Sequence, residues 1–352
     1  MPATDIAIVG WGLAPIEARS PATEPQLCLA ANLAAIASAG IDRHDVGFTC
    51  AGSCDYLTGG PFAFVANLDA AGAWPPIAES HVEMDGAWAL YEAWVRLQHG
   101  DIDLALVFGS GKSSPSNPIE LYPQQLDPYY LSPLGLDPDS LSALQARALL
   151  DSGRATERDL AEAAARDRQA AQGNPHAIVS GAEDADTLLA SPYTAPPLRA
   201  HDLPARGDGA AAVILATAER ARSLVERPVY IRGIAHRLDV HQPGMRDLAT
   251  SPSTTAAGRA AGLGEGRVEL AELHGGSTAQ ELIVAEALGL GGTTTINPSG
   301  GALTADPVMA TGLIRIIEAA RRVADGTARR ALAHATNGQA LQHNLVCILE
   351  AD

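Results

Sequence analysis

An α/β fold is predicted for this 352-residue chain by three observations. Short apolar runs that end in glycine alternate with Ala-rich stretches of helical spacing. Some of those runs are apolar throughout, as strands covered on both faces are. The order of elements in the first half also recurs in the second, an internal repeat of roughly 170 residues.

The elements follow in order. DIAIVGWG (5–12) is a strand running into a glycine turn, and PQLCLAANLAAIASAG (25–40) is a helix stopped by Gly40. VGFTCAG (46–52) is a strand, WALYEAWVRLQHG (88–100) a helix closed by Gly100, and DLALVFGSG (103–111) a buried strand. From 112 to 145 the pattern dissolves into a segment rich in Pro, Ser and Tyr, and an irregular stretch of that length in a compact domain usually covers a site. Helices follow at 140–151 and 156–175, the second with Thr156 as N-cap. GDGAAAVILATAERA (207–221) reads as strand then helix.

In the second half, 228–235 is a strand, 251–264 a helix, VELAELHGG (268–276) a strand and 278–291 a helix. Residues 300–326 read as glycines and then a helix, with Asp306 as N-cap and Pro307 at the first helical position. RRALAHATNG (329–338) is a strand ending in Asn-Gly, and 341–350 is the last strand. The halves fall at 1–220, with a loop insertion at about 112–200, and at 228–352.

Composition narrows the function. The formal net charge is −17, from 24 Lys plus Arg against 41 Asp plus Glu, which argues against nucleic acid and anionic membrane surfaces. No apolar run is long enough to span a bilayer, and MPATDIAIVGWG has no basic, cleavable leader, so a cytoplasmic location is expected. Cys50 and Cys54 have no matching pair elsewhere. No metal site is expected, and the four cysteines (Cys28, Cys50, Cys54, Cys347) read as reduced, buried apolar residues.

PLRAHD (197–202) with GDGAAAVIL (207–215), RDRQAAQGNPHA (166–177), VELAELHGGSTAQELIVAEALGLG (268–291) and INPSGGALTADP (296–307) carry a resemblance across essentially the whole chain. In that order, they are similar to the thiolase superfamily, and more narrowly to its sterol-carrier-protein-type thiolase and lipid-transfer-protein branch, which includes steroid side-chain aldolases. The resemblance implies a thiolase-like fold: two duplicated halves in five layers, αβαβα, assembled as a dimer.

Matching the family's motifs position by position shows how far this chain departs from them. The nucleophilic cysteine turn falls at Glu83-Met84-Asp85-Gly86, so an acid, Glu83, takes the sulfur's place. The Gly-His-Pro turn falls at Ala305-Asp306-Pro307, replacing histidine by Asp306. The second cysteine turn falls at Thr336-Asn337-Gly338, giving Thr336. Only His274, in AELHGG, keeps the family residue, and Gly275 and Gly276 follow it where an acid and an aromatic are usual. Cysteine-based acyl transfer needs a thiolate, which no carboxylate replaces.

The leading expectation is therefore retro-aldol cleavage of a steroid-type or other bulky β-hydroxyacyl-CoA. His274 would hold the thioester enolate, Glu83 or Asp306 would act as base, and backbone N–H groups of Gly301 or Gly338 beside Asn337 would add donors. No bound cofactor is implied; coenzyme A enters as part of the substrate, and Lys112, Arg147, Arg166 and Arg168 are the nearest cations for its phosphates. His334, two residues before Thr336, and Tyr122, Tyr129 and Tyr130 are further cleft candidates.

Plainer roles fit the same residues: Glu83 or Asp85 as a helix cap, Asp306 as an N-cap, His274 as a satisfied buried histidine, Thr336 and Asn337 as a turn. Loss of three of four catalytic identities equally fits a non-catalytic subunit paired with an active thiolase-like chain. The family adds an OB-fold, zinc-ribbon protein as a possible partner. A lipid carrier follows only from the branch's name.

Overall fold

The structure is a computed structural model, described for residues 5–59 and 61–351. The main elements are β1 (Ile6–Leu13), α1 (Glu24–Ala39), β2 (Phe48–Gly52), β3 (Glu79–Val82), α2 (Gly86–Leu97) and β4 (Leu104–Lys112). After them come α3 (Pro138–Asp151), α4 (Glu157–Ala170) and β5 (Asp208–Thr217). The second half holds β6 (Val229–Leu238), α5 (Pro252–Ala260), β7 (Leu270–Glu272), α6 (Thr278–Ala287), β8 (Thr295–Ile296), α7 (Thr311–Ala324), β9 (Arg330–Asn337) and β10 (His343–Ala351).

Local chemistry accounts for the ends. Thr23 and Gln26 form a capping box at α1, and Gly40 closes it at φ 64°. Thr156 does the same for α4 with Asp159.

One sheet runs β8-β7-β9-β10-β6-β1-β5-β4-β2-β3. From its centre outward, β1-β5-β4-β2-β3 and β6-β10-β9-β7-β8 repeat one pattern. In each the first two pairings are antiparallel and the outer two parallel. Within the sheet, among the described residues, the halves join where Ala7 and Ile8 of β1 meet Tyr230 and Val229 of β6.

Strand alternation sorts the core into layers. Ala105 and Val107, Val213 and Leu215, Ala333 and Ala335, and Leu345 and Cys347 all face a middle layer built by α2 and α7. Their neighbours Leu104, Leu106, Phe108 and Ile214 face α1 on one outer side. Leu332, Val346 and Ile348 face α5 and α6 on the other. The architecture is thus five-layered, αβαβα, as expected.

Two expectations change. The irregular stretch after β4 holds short helical turns at Pro118–Leu121, Tyr122–Gln125 and Ser132–Leu134 before α3. The helix expected to start at Pro307 starts at Thr311, after a separate turn at Gly301–Thr304, and its N-cap position is Ala310. Asp306 therefore does not cap it. Among the described residues no helix is long and apolar enough to cross a membrane.

Candidate active site

A cavity of about 110 Å³ lies where the amino-terminal ends of α2 and α7 meet. Its wall takes Asp85 from the start of α2, Tyr122 from the segment after β4, and Arg206 from the approach to β5. His274 follows β7, Asp306 precedes α7, and residues 336–340 close the β9–β10 turn.

Asp85 sits at the floor, 1 % exposed. Its carboxylate accepts the backbone N–H of Ala87 at 2.8 Å and those of Gly312 and Leu313 at 2.9 and 3.1 Å. One side chain therefore serves the orphan donors of two helices from different halves. The approach needs Gly312, because a Cβ there would lie 2.6 Å from Asp85 Oδ1. Burial pushes the Asp85 carboxyl up to about 6 against those three donors.

His274 is fixed from one side. The backbone N–H of Thr336 donates to its Nδ1 at 3.4 Å, which leaves the ring proton on Nε2. Nε2 lies 3.9 Å from Asp306 Oδ1. Burial, reinforced by the nearby Arg315 guanidinium, holds His274 down to about 3, so the ring is neutral. Burial pushes Asp306 up; the Thr311 hydroxyl, which donates to Oδ1 at 2.7 Å, and Arg206 and Arg315 pull the other way. A neutral N–H donor and a carboxyl of raised basicity thus face one small space.

Beneath them is a buried ion network. Arg315, 1 % exposed, donates to Glu272 at 2.7 Å and to Ser299 Oγ at 2.6 Å. Ser299 returns its N–H and hydroxyl to the same carboxylate. Glu272 lies two residues before His274, so this network fixes the strand end that carries the histidine.

The sequence candidates divide. His274, Asp306, Thr336, Asn337 and Gly338 line the cavity, and so does Tyr122. Thr336 donates its hydroxyl to the His343 carbonyl at 2.9 Å, so its contribution to the site is the N–H that orients His274.

Glu83 is not in the wall. Its carboxylate accepts the Asp55 N–H at 2.6 Å and neighbours Cys54, which clusters with the wall residues Tyr122 and Met309. Gly301 is not in the wall either; its N–H donates to Ser299 Oγ at 3.3 Å. His334 is buried against Asn344 at 3.0 Å, while Tyr129 and Tyr130 are exposed.

All four candidate phosphate cations are engaged by carboxylates: Lys112 by Asp208, Arg147 by Asp151, Arg166 by Asp167 and Glu281, and Arg168 by Glu183. The four cysteines are free and buried, none lines the cavity, and burial pushes the Cys28 and Cys50 thiols up to about 12.

Asp85, Arg206, Gln280 and Gln339 are wall residues that motif matching did not single out as functional. For Asp85 a signal exists: an acid immediately before a glycine at a helix start, two residues past the matched position.

No protein-family model matches the chain. It is 25 % identical over 375 aligned positions to an acetyl-CoA acetyltransferase of Methanothermobacter thermautotrophicus, covering 97 % of this chain and 96 % of that one. It is 27 % identical over 337 positions to the 17-hydroxy-3-oxo-4-pregnene-20-carboxyl-CoA lyase of Mycobacterium tuberculosis, covering 84 % and 86 %. Among solved structures, a chain of the Ltp2-ChsH2(DUF35) aldolase superposes with a TM-score of 0.83 at 24 % identity, over 99 % of this chain and 98 % of that one.

Proposed function

We propose, starting from this chain's similarity to thiolase-superfamily proteins over nearly its whole length, that it is a carbon–carbon lyase subunit that cleaves a bulky, steroid-type β-hydroxyacyl-CoA by retro-aldol chemistry. The observation that carries this reading is the pairing of a neutral, Nε2-protonated His274 with the Asp306 carboxyl in a cavity that no cysteine lines.

In this reading Asp306, ionised, takes the proton of the substrate's β-hydroxyl. The bond between the α- and β-carbons breaks, giving a carbonyl product and a thioester enolate. His274 Nε2–H holds the enolate oxygen, helped by the Asn337–Gly338 backbone. Asp306 returns its proton to the α-carbon, releasing a shortened acyl-CoA. The proton balance closes on one carboxyl, which is the use of an acid whose basicity burial has raised.

A second reading, a non-catalytic subunit, is favoured by the commitment of Lys112, Arg147, Arg166 and Arg168 to carboxylates. Under both readings the partner is a thiolase-like chain, identical or not. The open edge of β3 and the exposed Phe62 and Trp74 in the segment leading to it support that pairing. The aldolase that superposes on this chain carries two component names, which supports a second component beside this chain; that it is an OB-fold, zinc-ribbon protein rests on the family resemblance alone.

The test is cleavage of β-hydroxyacyl-CoA by the chain purified from its host with whatever accompanies it. Asp306→Asn is expected to lower the rate about 10²–10⁴-fold, and His274→Ala about 10²–10³-fold. Unchanged rates in both variants, with the assembly intact, would remove catalysis from this subunit and leave the second reading.

A further inference from the structure

The turn between β9 and β10 is built against backbone preference. Gly338 (φ 73°), Ala340 (φ 52°) and Leu341 (φ 59°) all lie in the left-handed region, and two of the three carry a Cβ. Ala340 and Leu341 are also buried, so the turn is pressed inward and not left free at the surface. Residues 336–340 form one wall of the cavity.

Such a turn persists only where its surroundings over-determine it. Arg246 donates Nη2 to the Gln339 carbonyl at 3.0 Å and Nη1 to the Ala340 carbonyl at 2.9 Å. Gln145 of α3 reaches the Ala340 carbonyl at 3.5 Å, and Asn344 donates to the Leu341 carbonyl at 2.8 Å. Among the described residues Arg246 makes no carboxylate contact within ion-pair distance and its Nε is buried without a hydrogen-bond partner; burial lowers its basicity, with Asp239 acting the other way. A half-buried cation with this arrangement spends its two terminal nitrogens on two carbonyls of the strained turn. Gln145 in turn accepts from Gln280 at 2.8 Å, and Gln280 accepts the Gly276 N–H at 2.8 Å two residues after His274. The clamp on the turn is therefore continuous with the segment that carries the histidine.

We propose that Arg246 is a positioning residue. It holds the 338–341 turn in its left-handed conformation, so that the Asn337–Gln339 wall stays opposite His274 and Asp306 in the geometry the reaction needs. The proposal rests on the retro-aldol reading for its effect on rate, and on the turn alone for its effect on backbone.

The experiment compares wild type, Arg246→Ala, Arg246→Lys and the double variant Arg246→Ala/Ala340→Gly in the intact assembly. Glycine occupies positive φ without a clamp. Arg246→Ala is expected to lower kcat by about 10–100-fold with KM within about threefold, in line with misplacement of a site wall. Amide exchange at 338–342 should speed up at least tenfold while the melting temperature stays within a few degrees. Arg246→Lys should fall between, because one ammonium does not bridge two carbonyls as a planar fork does. The double variant should recover part of the loss, with kcat at least about threefold above Arg246→Ala, because glycine at 340 relieves one of the two strained positions.

An unchanged kcat and unchanged exchange in Arg246→Ala overturn the proposal. So does a kcat loss of which Ala340→Gly recovers none. A wild-type assembly with no cleavage at all sinks the lyase reading instead, and amide exchange in the four proteins then decides the clamp by itself.

Discussion

Asp85 yields the most exacting prediction, because two opposing effects act on one carboxylate. Burial favours its neutral form, and three N–H groups at two helix ends favour its charge. If burial wins, its pKa rises from an ordinary 3.8 to about 6 on folding. A group raised in this way contributes stability that is present below 3.8 and lost as pH climbs through 6. The shift is about two units at about 1.4 kcal/mol each, or about 3 kcal/mol in full. About 2.5 kcal/mol of that falls between pH 4 and 7.5.

Asp85→Asn removes the titration and keeps an acceptor oxygen, so its own cost is independent of pH. Urea denaturation of both proteins across pH 4–7.5 isolates the contribution of Asp85 together with its coupling to Asp306, since titrating groups that do not interact with Asp85 cancel in the difference. Asp85→Asn should close on wild type, or overtake it, by about 2.5 kcal/mol as pH rises. Parallel curves would refute the reasoning. A wild type that gains on the variant with rising pH would show that the helix ends win and that the carboxylate is held ionised.

Three further outcomes follow from the same geometry. Glu272→Gln strands the Arg315 cation, 1 % exposed, and should cost about 3–5 kcal/mol in unfolding free energy, most of it recovered by Glu272→Gln/Arg315→Met. Because His274 is held down to about 3, the pH–rate profile of cleavage should show no limb between pH 5 and 8 that His274→Gln abolishes; such a limb would mean the ring titrates. Glu83→Gln should leave the rate within about threefold of wild type, since its carboxylate is not in the cavity wall and is engaged by the Asp55 N–H, and should cost about 1 kcal/mol of stability through that contact.

The layered fold was legible because period and punctuation are local. Apolar runs such as residues 103–111 cannot tolerate a wet face, and Gly40 and Gly100 mark helix ends by adopting positive φ. The repeated element order then carried the pairing of the halves. The stretch 300–326 was misread for the opposite reason. Asp-Pro before an apolar helical pattern is a valid local start signal. In the folded chain Asp306 is taken up by Thr311 and the cavity, and α7 begins five residues later. Tertiary contacts, which the local pattern does not encode, made that choice. The Arg246 clamp was invisible for the same reason: its carbonyl partners lie 93 and 94 residues away.

The duplication also explains why an acid occupies the cavity floor. The halves are equivalent in strand order, so the amino-terminal ends of α2 and α7 are equivalent too, and both point their positive ends at one place. Symmetry would supply two caps. The chain supplies one: the N-cap of α7 is Ala310, which caps with no side chain, while Asp85 at the N-cap of α2 reaches Gly312 and Leu313, 227 and 228 residues away. A single carboxylate shared across the pseudo-twofold axis does structural duty that two side chains would otherwise divide. That leaves the α7 side of the cavity free of a capping group, and Asp306, His274 and the strained turn fill it. The asymmetry of the site is thus a consequence of how one buried charge satisfies two helices.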